Sequence, residues 1–217
     1  MTKNGRSDGA RRDAERTVVD LFSGAGGASY GFHARDGFRL VGAADAQKGK
    51  PSSGAGTLQC NLTYAANIGI EPVERDLAAT DPAEIREAFR PGLGGADPDI
   101  LISCAPCTGF TRTNPNNHLV DDARNSLAAR SALFVREFRP AVFVMENVRE
   151  MVSGRFKGHY ADLRSDLEAL GYRVRGEVRM LSRYGLPQHR ERALVIAARD
   201  GVEPRLLDDL WDGWGVR

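Results

Sequence analysis

Thr17-Val-Val-Asp-Leu-Phe-Ser-Gly-Ala-Gly-Gly27 passes from a β-branched run into a glycine cluster, and its reading decides the fold. Thr17 to Phe22 have the composition of a short buried strand, and the glycines that follow make a turn whose backbone a ligand can approach closely. A stretch with apolar residues three and four apart succeeds it over 26–35. Strand, glycine turn and helix in that order open a Rossmann-like sheet, at the point where such a sheet receives a nucleotide-bearing cofactor. Gly24, Gly26 and Gly27 do not complete the dinucleotide pattern, because Ser29 stands where it requires glycine or alanine. That departure argues against a pyrophosphate cradle.

Outward from this stretch the same alternation repeats. Short apolar runs at 39–44, 72–75, 99–103, 141–146, 173–181 and 193–198 read as further strands. Amphipathic segments at 57–67, 82–89, 122–138 and 160–170 read as helices between them, with Asp81 before Pro82 as a start signal. The expected fold class is therefore α/β, a mostly parallel central sheet with helices on both faces. Segments 47–56 and 107–120 carry Gly, Pro, Asn, Ser and Thr without period and read as loops, the second too long for a simple connector. The first sixteen residues are polar and aperiodic, a tail rather than part of the domain.

The bulk properties bound the function. Thirty basic against 29 acidic residues give a net charge of +1, so no global field marks the chain as a nucleic-acid or membrane binder. Three cysteines, Cys60, Cys104 and Cys107, are too few for a disulfide framework, and no apolar run reaches the length of a signal core or membrane span. A reduced, cytoplasmic setting is expected.

Candidate site residues gather where strands end. Asp45 and Asp76 close the second and third strands, where carboxylates can meet the ribose hydroxyls and adenine amino group of a cofactor. Such contacts without a pyrophosphate cradle suit S-adenosylmethionine; standing alone, the same residues would make a tight turn with two surface aspartates. Ser103-Cys-Ala-Pro-Cys107 follows the fourth strand. A thiol pinned by Pro106 can be a nucleophile, a redox partner or a metal ligand. A thioredoxin-like reading of Cys104 and Cys107 leaves the glycine turn unused, and zinc lacks a second close pair of ligands. Glu146, with Asn147 and Val148 after it, ends the fifth apolar run; its plain alternative is a carboxylate capping the next helix. Gln188-His-Arg-Glu-Arg192 places Arg190 and Arg192 at alternate positions, on one side of an extended segment, where they can hold a planar polar ligand or simply face solvent.

The ordered set of these segments resembles the cytosine-5 DNA methyltransferases over residues 17–199. Asp20-Leu-Phe-Ser-Gly-Ala-Gly-Gly27 is similar to that family's first motif, Ala105-Pro-Cys-Thr-Gly-Phe110 to its catalytic motif, Glu146-Asn-Val148 to its carboxylate motif, and Gln188 to Arg192 to its arginine motif. The resemblance implies a catalytic set of Cys107, Pro106, Glu146, Asn147, Gln188, Arg190 and Arg192. Cys107 would add to carbon 6 of a flipped cytosine, Glu146 would hold or donate a proton at ring N3, and Arg192 would meet the exocyclic oxygen. Asn147 would fix the turn around Glu146, while Gln188 and Arg190 would support the loop after Cys107. A cofactor set of Asp20, Phe22, Ser23, Gly24, Ala25, Gly26, Gly27, Asp45 and Asp76 would hold S-adenosylmethionine.

The chain also departs from the family. Thr108 stands where glutamine is common, 47–56 reads as an insertion, and the sequence runs only about eighteen residues past Arg199, without the target-recognition domain and last two motifs. The expected organisation is a tail over 1–16, a catalytic domain over 17–199 and an extension over 200–217. The chain would then be the catalytic half of a split enzyme of the restriction-modification type, or a truncated one; the expected partners are duplex DNA and a second polypeptide supplying the target-recognition domain and final motif. Action on RNA cytosine, and a silent binding remnant of the fold, stay open.

Overall fold

The computed structural model describes residues 15–48, 59–106, 126–153 and 157–208. Cys107 with the loop after it, nearly all of 47–56, the tail up to residue 14 and residues 209–217 lie outside the described residues.

In chain order the elements are β1 (Arg16–Leu21), α1 (Gly27–His33), β2 (Phe38–Asp45), α2 (Cys60–Ile68), β3 (Val73–Glu74), α3 (Pro82–Leu93), β4 (Ile100–Ser103), α4 (Ser126–Phe138), β5 (Val142–Val148), α5 (Glu150–Ser153), α6 (Gly158–Ala169), β6 (Arg173–Met180) and β7 (Glu191–Ala198). They build one seven-stranded sheet in the order β3-β2-β1-β4-β5-β7-β6. All neighbours pair in parallel except that β7 runs antiparallel to both β5 and β6.

Alternation along the strands splits the core into two layers. Val18 and Ile102 pack with Leu40, Ala43, Tyr64 and Ile68 beneath α1 and α2. Val19, Leu21, Leu101 and Phe143 join the larger layer with α3, α4 and α6. Helices thus cover both faces, as continuous apolar strands require.

Three local outcomes differ from the sequence reading. Helix α3 starts where expected, with the Asp81 carboxylate accepting from Ala83 N–H at 2.9 Å, but it runs through Pro91 to Leu93 instead of stopping at Phe89. The extension buries Leu93, and two glycines let it lie directly on β2. A Cβ on Gly42 would sit 2.5 Å from the Phe89 ring, and one on Gly92 would sit 2.2 Å from the Val41 carbonyl oxygen. That carbonyl lies where the β1–β2 register slips, with Val18 opposite Leu40 but Val19 opposite Gly42. Second, β3 is only two residues long, so Asp76 follows it rather than ending it. Third, α5 and a 3₁₀ turn at Leu181–Tyr184 are too short to show a period in sequence. No helix among the described residues is long and apolar enough to cross a membrane.

Candidate active site

The carboxyl edge of the parallel strands gathers the candidate residues, because β1, β2, β4 and β5 all end there. After Leu21 the chain turns sharply: Phe22 takes φ 56°, Gly24 φ 51° and Gly26 φ 93°. Left-handed backbone is costly for a side chain as large as Phe22, so surrounding structure must hold the turn. Gly26 is needed twice over, since a Cβ there would also press within 3.1 Å of the Tyr64 ring. Gly24 and Gly27 face open space, with nothing within 4 Å of a built Cβ.

Beneath the turn, Asp20 is fully buried. Its Oδ2 accepts from the Ser29 hydroxyl at 2.5 Å, and Ser29 Oγ lies 2.7 Å from the Tyr64 hydroxyl. Burial pushes the Asp20 carboxyl up to about 7; the Ser29 hydrogen bond works against the rise and the charge of Asp45 adds to it. Burial also pushes the Tyr64 phenol up, with Asp20 adding to it. Ser29, which breaks the dinucleotide pattern in sequence, is therefore a structural partner of Asp20. Neither Ser29 nor Tyr64 stood out as a site residue, because a serine and a tyrosine on helix faces carry no motif.

Asp45 ends β2 as expected. Its Oδ2 accepts from Gly24 N–H at 3.0 Å and its Oδ1 from Gln47 N–H at 2.6 Å, so it braces the glycine turn from the neighbouring strand. The Cys60 thiol lies 3.6 Å from the same Oδ1. Asp76 pairs with the Lys48 ammonium, which holds its carboxyl below the usual range, and accepts from Ala78 N–H at 3.1 Å. The loops after β2 and β3 are thus tied together at this rim.

Two buried oxygens here, Asp20 Oδ1 and Ser23 Oγ, have no hydrogen-bond partner among the described residues. Orphaned buried acceptors beside open glycines and a strand-end carboxylate fit a nucleoside-bearing ligand with hydroxyl and amino donors. The donor set fits S-adenosylmethionine better than a dinucleotide, since no third glycine opens the helix for phosphates.

Across β4 lies the second half. Glu146 falls inside β5, which continues two residues beyond the expected end because Val148 still pairs with Arg192. Antiparallel β7 delivers its start to this edge. Arg192 Nε lies 2.7 Å and Arg190 Nη2 3.7 Å from the same atom, Glu146 Oε1, so alternate arginines do share one side. Glu191 points the other way and pairs with Arg149 at 2.5 Å, a pair the motif reading did not include.

Asn147 is buried; its Oδ1 accepts from Val148 N–H at 2.8 Å and its Nδ2 donates to the Ala105 carbonyl at 3.3 Å. That bond ties the carboxylate strand to the segment ending in exposed Pro106. Gln188 is exposed, on the turn before β7, with its N–H donating to the Leu186 carbonyl at 2.7 Å. Among the described residues no group of three His, Cys, Asp or Glu is placed to hold a metal.

A family model for C-5 cytosine-specific DNA methylase matches residues 16–209. The chain is 35% identical over 185 residues to the Type II methyltransferase M.AgeI of Thalassovita gelatinovora, covering 85% of this chain and 40% of that protein. It is 32% identical over 186 residues to M.XorII of Xanthomonas oryzae pv. oryzae, covering 85% and 41%. The chain spans about two fifths of the length of these curated relatives. Among solved structures, a putative DNA modification methyltransferase encoded within an Escherichia coli prophage superposes with a TM-score of 0.67 at 26% identity, over 85% of this chain and 47% of that one. The Dnmt2 methyltransferase of S. pombe shares the fold at a TM-score of 0.65 and 20% identity, over 94% and 57%.

Proposed function

The chain belongs to the C-5 cytosine-specific DNA methylase family, and from that premise we propose that it methylates carbon 5 of a cytosine flipped out of duplex DNA, as a cytoplasmic enzyme of the restriction-modification kind. The observation that carries the reading is Glu146 Oε1 held by Arg192 and Arg190 beside the segment that leads to Cys107.

In the proposed mechanism the Cys107 thiolate adds to carbon 6 of the base. The π electrons displaced by sulfur move toward ring N3, where Glu146 holds or donates a proton. Carbon 5 becomes enamine-like and nucleophilic. The glycine turn, Ser23, Asp45 and Asp76, above buried Asp20, would hold S-adenosylmethionine, whose sulfonium would supply an electrophilic methyl group and leave as the neutral thioether. A solvent base then takes the carbon 5 proton, the C–H electron pair restores the C5–C6 double bond as the thiolate leaves carbon 6, and the N3 proton returns to Glu146. Arg192 and Arg190 orient Glu146 and meet the base oxygen, Asn147 positions Pro106, and Gln188 supports the loop after Cys107.

Near-neutral net charge leaves little field for gathering a phosphate backbone, so we assign target recognition to a second polypeptide or to further chain. The test uses the protein with its recognition partner and a labelled methyl donor. Cys107→Ser is expected to abolish transfer, and the wild type to trap covalently on duplex DNA containing 5-fluorocytosine. Normal turnover by the serine variant would refute the nucleophile assignment; transfer to tRNA but not to duplex DNA would move the substrate to RNA.

A further inference from the structure

Asp20, Ser29 and Tyr64 come from β1, α1 and α2, and all three are at 0% exposure. One hydrogen-bonded chain joins them: Asp20 Oδ2 to Ser29 Oγ at 2.5 Å, and Ser29 Oγ to Tyr64 hydroxyl at 2.7 Å. Ser29 and Tyr64 bring one O–H each, and Asp20 brings one only when protonated. An ionised Asp20 must receive the Ser29 proton at Oδ2, while Oδ1 stays buried without a donor among the described residues. Its charge then opposes that of Asp45, the residue whose Oδ2 holds Gly24 N–H. Titratable groups facing Asp20 are Asp45 from β2 and Tyr64 from α2. Cys104, after β4, packs against the same layer of the core.

We propose that Asp20 is a positioning residue for the glycine turn that works while it holds a proton. Neutral, it closes the chain that ties α1 and α2 to β1 and leaves Asp45 undisturbed on the Gly24 amide. Ionised, it repels Asp45 and slackens the turn, so affinity for a nucleoside cofactor falls as the proton leaves. Burial sets the transition near neutrality, at about 7. A carboxyl kept neutral beside another that serves the ligand is a known way to divide two such groups between roles. The inference rests on the proposed use of S-adenosylmethionine, deepening it with a pH dependence.

Calorimetry on the full chain with S-adenosylhomocysteine tests it, because the thioether sulfur of that probe carries no charge. Wild type is expected to bind about 5-fold or more tightly near pH 6 than near pH 8.5, a coupling of the usual size. Asp20→Asn, permanently neutral and nearly isosteric, is expected to lose that slope. Tyr64→Phe, which cuts the far end of the chain, is expected to weaken binding at the lower pH. Equal pH slopes in wild type and Asp20→Asn overturn the proposal. Amide hydrogen exchange over residues 24–28, corrected for the intrinsic pH effect, is the second readout. Protection should fall with rising pH in wild type and not in Asp20→Asn. If no protein binds the probe at any pH, the cofactor reading falls and exchange decides the clamp: pH-independent protection in wild type refutes it.

Discussion

The two ends of the carboxyl edge hold their acids in opposite ways. At the β1–β2 end, Asp20 is fully buried with one hydroxyl donor and no counter-ion among the described residues, and the glycine turn above it is braced by Asp45. At the β5–β7 end, the Glu146 side chain is 35% exposed and held by two arginines. Burial moves Asp20 toward its neutral form, whereas two guanidinium groups meet the half-exposed Glu146 carboxyl. The same functional group therefore sits in a fixed, buried setting on one side and in an adjustable, half-exposed setting on the other. A cofactor surface benefits from a preset shape, and a base that swings in benefits from groups that can rearrange around it.

Breaking the adjustable half should have the largest effect. Glu146→Gln keeps the size and loses the acid; methyl transfer should fall by about 10²–10⁴-fold, the usual contribution of a positioned proton donor. Single-turnover kinetics with bound DNA checks this, and an unchanged rate would remove Glu146 from the chemistry.

The next effect sharpens the contrast through pH. The Asp20 carboxyl lies at about 7 in the folded chain against 3.8 for the free group, so the folded state binds the extra proton between these values. The contribution of Asp20 to stability should be greatest near the lower limit, fall as pH rises toward 7 and level off above it. Asp20→Asn should remove that slope and, above pH 7, be more stable than wild type by up to about 4 kcal/mol. Urea titrations across the range decide it; parallel curves for both proteins would show that Asp20 does not titrate between the two values.

Packing behind the fixed half should come third. Gly92→Ala drives a Cβ toward the Val41 carbonyl, and overpacking of this kind costs about 1–3 kcal/mol. A denaturation midpoint equal to wild type would mean that α3 can slide on β2 without loss. The smallest effect belongs to the solvent-exposed Arg149–Glu191 pair at the adjustable end, where screening by water should leave the denaturation midpoint of Arg149→Ala close to that of wild type. A double-mutant cycle with Glu191→Ala checks this, and a large coupling would make this end as rigid as the other.

Legibility in the sequence followed from how local each cause is. The strands were readable because a sheet covered on both faces needs apolar runs, and the start of α3 because Asp81 and Pro82 are cap chemistry. Its end was not, because Pro91 and Gly92 look like a stop until β2 is beneath them. The glycine turn, Asp45, Glu146 and the alternate arginines were readable from motif and spacing. Lys48 on Asp76, Arg149 on Glu191, and Ser29 with Tyr64 under Asp20 were not, since nothing in spacing marks residues that meet only when distant elements pack.

The sequence by itself determined the α/β alternation, the glycine turn, the family and the types of group that reach the carboxyl edge. Only the tertiary structure decided that β7 enters antiparallel between β5 and β6, which turns the start of the arginine segment toward Glu146. It alone also put Asp20 at zero exposure, and that burial pushes its carboxyl up to about 7. Local patterns of residues encode backbone conformation and which face is apolar; the charge state of a carboxylate depends on the dielectric and partners around it, and those exist only once the strands and helices have packed.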